Sequence, residues 1–311
     1  MVTTAIGPEV RAHQRHRATK VHDTPIDRLF MGFVYFLLAV FGLSILLPII
    51  NIVASSFSNP DAVNAGEVTF WPIEPTLRGY TQALSDPSII RGFLNSLGYT
   101  SAYTLLAVAL TVCIAYPLSR KDLWGRGFIS VVIVFTMLFA GGIIPTYLVV
   151  RSLGLLNNPL AMILPQACGV WQVIIAMTFF RNSIPADLYE AAQLDGASDL
   201  SFLWRVVLPL SKPLIAVIAL MYAVYSWNSY FDAMLYLQNM DLWPLQLVLR
   251  NFLIMNQPTP NMNAAELIER EQMADLLKYS LVVIASVPLL VVYPFVAKHF
   301  NQGIMVGAVK G

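Results

Sequence analysis

The sequence predicts an all-α, polytopic membrane protein with six transmembrane helices. Three observations lead there. Of its 311 residues 57% are hydrophobic and only 12% charged, with mean hydropathy +0.65, whereas a soluble domain carries about 25% charged residues. Apolar, charge-free stretches of about the 17–25 residues that cross a hydrocarbon core recur along the chain. Polar, Pro- and Gly-containing connections separate them. Lipid cannot satisfy backbone N–H and C=O groups, so such stretches must be helices. The net charge of +1 leaves no basic footprint for nucleic acid.

Residues 1–28 form a basic tail with Arg11, Arg15, Arg17, Lys20 and Arg28. The apolar run after it is too long for a signal-peptide core and lacks a small-residue cleavage site. It is therefore expected to persist as the first span, Leu29–Ala54. Phe93–Leu118, Phe128–Val150, Leu160–Phe180, Pro213–Phe231 and the shorter Leu281–Ala297 follow, all within a single membrane domain over 29–311. Gly141-Gly142 and Pro145 interrupt the third span, where tight helix packing is expected and a hinge is the alternative. Two connections are long. Residues 55–91, with Asn59-Pro60 and Trp71-Pro72, read as an irregular, partly ordered cap. Residues 236–275 offer a short amphipathic helix over Leu245–Ile254, turns over Asn256–Asn261, and helical spacing over Ala264–Leu277.

Orientation follows from Lys and Arg in the connections. The N-terminal tail, the second loop (Arg120, Lys121, Arg126), the fourth loop (Arg181, Arg205, Lys212) and the C-terminal tail (Lys298, Lys310) hold thirteen of the nineteen. With an even number of spans, both termini and the fourth loop are expected in the cytoplasm.

What the chain lacks narrows its function. It has no G-x-x-x-x-G-K-[ST] loop to hold a nucleotide. Its spans carry no ionisable residue away from their ends, which argues against proton- or ion-coupled transport. Cys113 and Cys168 lie in apolar runs and read as small core residues, and His13, His16, His22 and His299 lack ligand spacing. No catalytic constellation or metal site emerges, so an enzyme is not expected. Uphill movement of a solute through such a chain would draw its energy from another subunit.

That directs attention to the charged island at 183–213. Pro185 and Asp187 suit the first turn of a helix, and Gly196 suits its left-handed end. Ser198 can cap a second helix over Asp199–Val207, which Pro209 and Pro213 would end before the fifth span. Ala191, Ala192 and Ala197 leave a low profile that a partner could approach, with Glu190 and Asp195 as charged anchors. A plain amphipathic loop has the same composition.

Glu190-Ala191-Ala192, Asp195-Gly196-Ala197, Phe202, Leu208-Pro209-Leu210 and Pro213 resemble the EAA loop of binding-protein-dependent ABC importers. The similarity extends over about 90–300. Ala115-Tyr116-Pro117-Leu118-Ser119-Arg120 and Trp227-Asn228 look like the carbohydrate branch and are similar to its smaller maltose permease subunit. Gly303–Gly311 looks like the ending of a subgroup that imports complex oligosaccharides, although Asn301-Gln302 stand where that subgroup often has Val-Lys.

The resemblance implies a type I importer permease fold. It implies a second permease subunit, forming a heterodimer with this one, and two cytoplasmic ATPase subunits that bind ATP and Mg and receive the EAA loops. An extracytoplasmic binding protein would deliver an oligosaccharide. This chain would hold no cofactor itself. Glu190 would anchor the loop in the ATPase cleft and Gly196 would shape its turn, beside Ala191, Ala192, Asp195, Ala197, Phe202 and Pro209. For the solute path, aromatic and amide groups suit sugars by stacking and hydrogen bonding. Trp227, Asn228 and Tyr230, with Asn95 and Ser96, have the right chemistry, although such residues also glue helices together. The same machine could carry another solute, and a non-conducting scaffold or sensor is the reading from a different class.

Overall fold

The computed structural model describes residues 24–139, 141–255, 277–295 and 297. The tail at 1–23, the turns at 256–261, most of the expected helix at 264–277, and the tail at 303–311 lie outside the described residues, as do all four histidines. By internal contacts the chain falls into two compact units, Met1–Ile49 and Ile50–Gly311.

Helix α1 (Pro25–Ser56) begins on a reciprocal cap. The Thr24 N–H donates to Asp27 Oδ2 at 2.9 Å, and the Asp27 N–H donates back to Thr24 Oγ1 at 3.2 Å. The first unit includes this helix as far as Ile49, and from Leu29 on nearly all of its side chains there are apolar and exposed within the chain.

In the second unit, α2 (Pro60–Asn64) and α3 (Arg78–Ser85) sit in the expected irregular cap. Ile73 N–H donates to Ser58 Oγ, and Asn51 Nδ2 donates to Val68 O. The organising element is α4 (Pro87–Ser119). It starts where Asp86 accepts from the Ser88 N–H at 2.8 Å with Pro87 in the first turn. It packs against α7 (Val170–Ser183), α11 (Lys212–Trp227) and α13 (Leu245–Met255). Ala107, Ala115 and Ala176, fully buried, let the α4 and α7 backbones approach closely.

The expected third span is two helices, α5 (Arg126–Leu138) and α6 (Ile143–Ser152), set at 111° to one another. Gly142, at φ +84°, opens α6 in a conformation closed to most side chains. The third span is therefore broken next to the Gly-Gly pair and is not one continuous helix. Of the expected fourth span only the part from Val170 on is α-helical; it belongs to α7, whose fourteen residues run on to Ser183, about 21 Å of rise. Pro159, Pro165 and Gly169 keep the chain before it irregular. Two tyrosines satisfy that freed backbone: Tyr103 Oη donates to Gln166 O at 2.9 Å, and Tyr222 Oη accepts the Gly169 N–H at 3.1 Å. Tyr222 also shares a buried 2.7 Å hydrogen bond with Thr111.

Next come α8 (Ala186–Leu194), α9 (Asp199–Phe202) and α10 (Leu208–Leu210). Beyond α11, α12 (Phe231–Tyr236) and α13 lead to α14 (Leu277–Phe295). Among the described residues α1, α4 and α14 are each long and apolar enough to cross a membrane alone, and two bent pairs, α5–α6 and Asp199–Leu210 with α11, raise the number to five. Cys113 and Cys168 are exposed within the chain and are not the core residues expected of them.

Candidate coupling site

The island at 183–213 is built by local rules. Pro185 precedes α8 as its cap residue, with Asp187 in the first turn. At the other end the Ala197 N–H donates to Ala192 O at 2.9 Å and the Gly196 N–H to Gln193 O at 3.0 Å. That pair of bonds is a Schellman motif, and it requires the left-handed residue that Gly196 supplies at φ +74°. Ser198 Oγ then accepts from the Ser201 N–H at 3.3 Å to start α9. The second helix does not stop at Pro209, as the sequence suggested, but runs to Leu210. Pro209 lacks an N–H, and its ring crowds the carbonyl four residues back. The turn at Leu203–Val207 widens into a π-helical one, with the Leu208 N–H bonded to Leu203 O. The chain then bends by 81° into α11 at the fully buried Ser211.

One face of this device is pinned to the helix bundle. Phe202 is buried among Tyr116, Phe180 and Val207, and the Tyr189 ring meets it edge-on at 5.3 Å. Arg120, just past the end of α4, lays its guanidinium 3.6 Å from the Tyr189 ring centroid. It also donates to Asp199 Oδ1 at 2.9 Å, an oxygen that accepts the Tyr189 hydroxyl at 2.8 Å. Gln193 Nε2 donates to Tyr189 Oη at 2.6 Å, and Arg120 pairs as well with Asp122. The guanidinium beside Asp122 holds that carboxyl below the usual carboxylate range.

The opposite face is open. Glu190, Ala191, Asp195 and Gly196 are exposed, and Ala192 and Ala197 are half-buried. Leu194 is 91% exposed, with Leu200 and Trp204 each 64% exposed beside it. Exposed large apolar groups on a short polar island mark a docking surface.

The structure disperses the five residues singled out for a solute path. Asn95 Nδ2 donates to Asp241 O and Trp243 O, Ser96 Oγ accepts the Leu245 N–H, and Trp227 Nε1 donates to Ala285 O. These hydrogen bonds tie together the end of the bundle away from the coupling loop. Asn228 Nδ2 folds back onto Val224 O. Tyr230, 43% exposed, borders an open cavity. The Arg120–Tyr189–Asp199 cluster was not foreseen. Its only trace in the sequence is a basic residue at the end of one span and an aromatic next to Glu190, 69 positions apart.

Residues 18–306 match the family model described as "Binding-protein-dependent transport system inner membrane component". The chain belongs to this family. This permease is 40% identical over 285 residues to the polygalacturonan/rhamnogalacturonan transport system permease protein YtcP of Bacillus subtilis, covering 92% of this chain and 99% of that one. It is 38% identical over 291 residues to protein LplC of the same organism, covering 94% and 98%. Among solved structures, a chain of a bacterial ABC transporter involved in the import of the acidic polysaccharide alginate superposes with a TM-score of 0.82 at 34% identity, over 90% of this permease and 99% of that chain. The permease has the type I importer fold. It is a multi-pass inner-membrane transport component, and its family is not one of catalytic enzymes.

Proposed function

We propose that this permease forms half of the path for an oligosaccharide and that its EAA loop, 183–213, couples the path to ATP hydrolysis in separate subunits. The partners are a second, different permease subunit, two cytoplasmic ATPase subunits that bind ATP and Mg, and an extracytoplasmic binding protein that delivers the sugar. Both termini face the cytoplasm. The observation that carries the reading is the two-faced loop: Arg120 and Phe202 fix one side to α4 and the core, while Leu194, Leu200, Trp204, Glu190 and Asp195 stand free on the other. A rigid lever with an open apolar and acidic head suits a mechanical partner. The relatives' names, a polygalacturonan/rhamnogalacturonan permease and an alginate importer, support a saccharide as cargo.

Nucleotide-driven movement of the ATPases would shift the loop, and the 81° bend at Ser211 would pass that shift directly into α11. Partner binding thus biases a two-state membrane element. The test is sugar uptake by Glu190→Ala and Gly196→Pro variants that still reach the membrane. Uptake should be abolished; normal uptake in both contradicts the proposal.

A further inference from the structure

The end of α11 away from the coupling loop, about 24 Å along a helix of this length, opens onto a cavity of about 300 Å³. Three separate parts of the chain build it: Tyr230 just after α11, Gln246 and Arg250 on α13, and Lys278 at the start of α14. Leu249 and Leu281, buried at 8% and 3%, form an apolar wall. The Arg250 guanidinium stands 5.9 Å from the Tyr230 ring centroid. The volume lies at the lower end of small-molecule pockets, enough for one sugar unit held from one side.

Charge decides what it suits. Among the described residues no carboxylate pairs with Arg250 or Lys278. Asp232, the nearby acid, belongs to another recess, within hydrogen-bond reach of the Tyr225 and Ser229 hydroxyls at 3.5 and 3.4 Å. That recess has room for about 10 Å³, a single water at most. Two cations against an apolar wall, without a carboxylate partner among the described residues, favour an anion.

We propose that this cavity holds a uronate unit of the transported oligosaccharide, with Arg250 and Lys278 on its carboxylate. The assignment rests on the oligosaccharide reading and deepens it from a sugar to an acidic sugar. The planar guanidinium matches a carboxylate with two parallel hydrogen bonds. The exposed Tyr230 ring offers a stacking face for the pyranose, and the Gln246 amide can donate to and accept from ring hydroxyls. A neutral sugar in the same place would leave both cations partly desolvated and unpaired.

The test uses the complete transporter with its binding protein. Uptake of trigalacturonate, its methyl triester and neutral trisaccharides is measured for the wild type, Arg250→Gln/Lys278→Gln, Lys278→Gln and Arg250→Lys. The ratio of acid to ester uptake should fall about tenfold or more in the double variant, the loss expected for charge-assisted hydrogen bonds, and recover in part with Arg250→Lys. Lys278 is exposed, so Lys278→Gln alone carries the test if the double variant fails to reach the membrane. An unchanged ratio overturns the proposal. A wild type that carries only neutral saccharides also overturns it while leaving the oligosaccharide reading standing. A wild type that carries no saccharide at all overturns both.

Discussion

Replacing Arg120 by alanine should free the coupling segment from the end of α4 while leaving the helix bundle folded. The side chain is only 15% exposed, with its guanidinium over Tyr189 and one nitrogen on Asp199. A cation–π contact of this kind contributes about 0.5–2 kcal/mol. The ion pair to Asp199, whose own side chain is 68% exposed, adds about 0.2–1 kcal/mol after solvent screening. The pair with Asp122 stays within one loop and does not bridge to the segment. The docked state thus loses about 1–3 kcal/mol, and the detached population rises about 5- to 150-fold. Hydrogen exchange on the assembled transporter reads this directly, because local opening sets amide protection. Protection should fall over 186–210 and persist in α4 and α11. Arg120→Lys, which keeps the charge but loses the planar stack, should fall between. Unchanged exchange over 186–210, or equal loss throughout α4 and α11, would refute the reasoning.

Three further outcomes follow from the same geometry. Gly196→Ala should cost about 1 kcal/mol, because the Schellman turn holds φ at +74°; it should lower uptake per ATP hydrolysed, whereas Gly196→Pro, which also removes a donor, abolishes uptake. Gly169→Ala would set a methyl group 2.9 Å from Tyr222 Oη and force apart the contact that closes the irregular chain before α7. Thermal unfolding in detergent should show a loss of about 1–3 kcal/mol. The Arg120–Asp122 pair should tolerate pH. Asp122 is depressed by Arg120, so its contribution is fully present above the ordinary carboxylate value and is lost only as pH falls through the lowered one. Amide protection over residues 120–126, read by hydrogen exchange, should be flat between about pH 5 and 8.

Where local chemistry decides, the sequence was readable. Pro185, Gly196 and Ser198 placed the start of one helix, its end and the start of the next, because caps and left-handed turns depend on a few neighbouring residues. Apolar runs located α1, α4, α11 and α14 for the same reason. Elements decided by distant partners were not legible. Nothing near Gly169 announces that Tyr103 and Tyr222 will satisfy an irregular stretch inside an apolar run, so that run read as a continuous helix. Trp227, Asn95 and Ser96 carry the right chemistry for a ligand, and each also makes hydrogen bonds to residues 58 to 149 positions away that no local pattern announces. The Pro209 stop failed because one π turn absorbs the proline without ending the helix.

In the proposed mechanism the open face of the loop seats an ATPase subunit. A photo-crosslinking residue in place of Leu194, which is 91% exposed and outside the pinned face, tests it in the purified, transport-active complex. The expected result is a crosslink to a cytoplasmic ATPase subunit whose yield changes when nucleotide is added. A complex that transports sugar yet crosslinks from this position only to lipid, or to the extracytoplasmic binding protein, would contradict it.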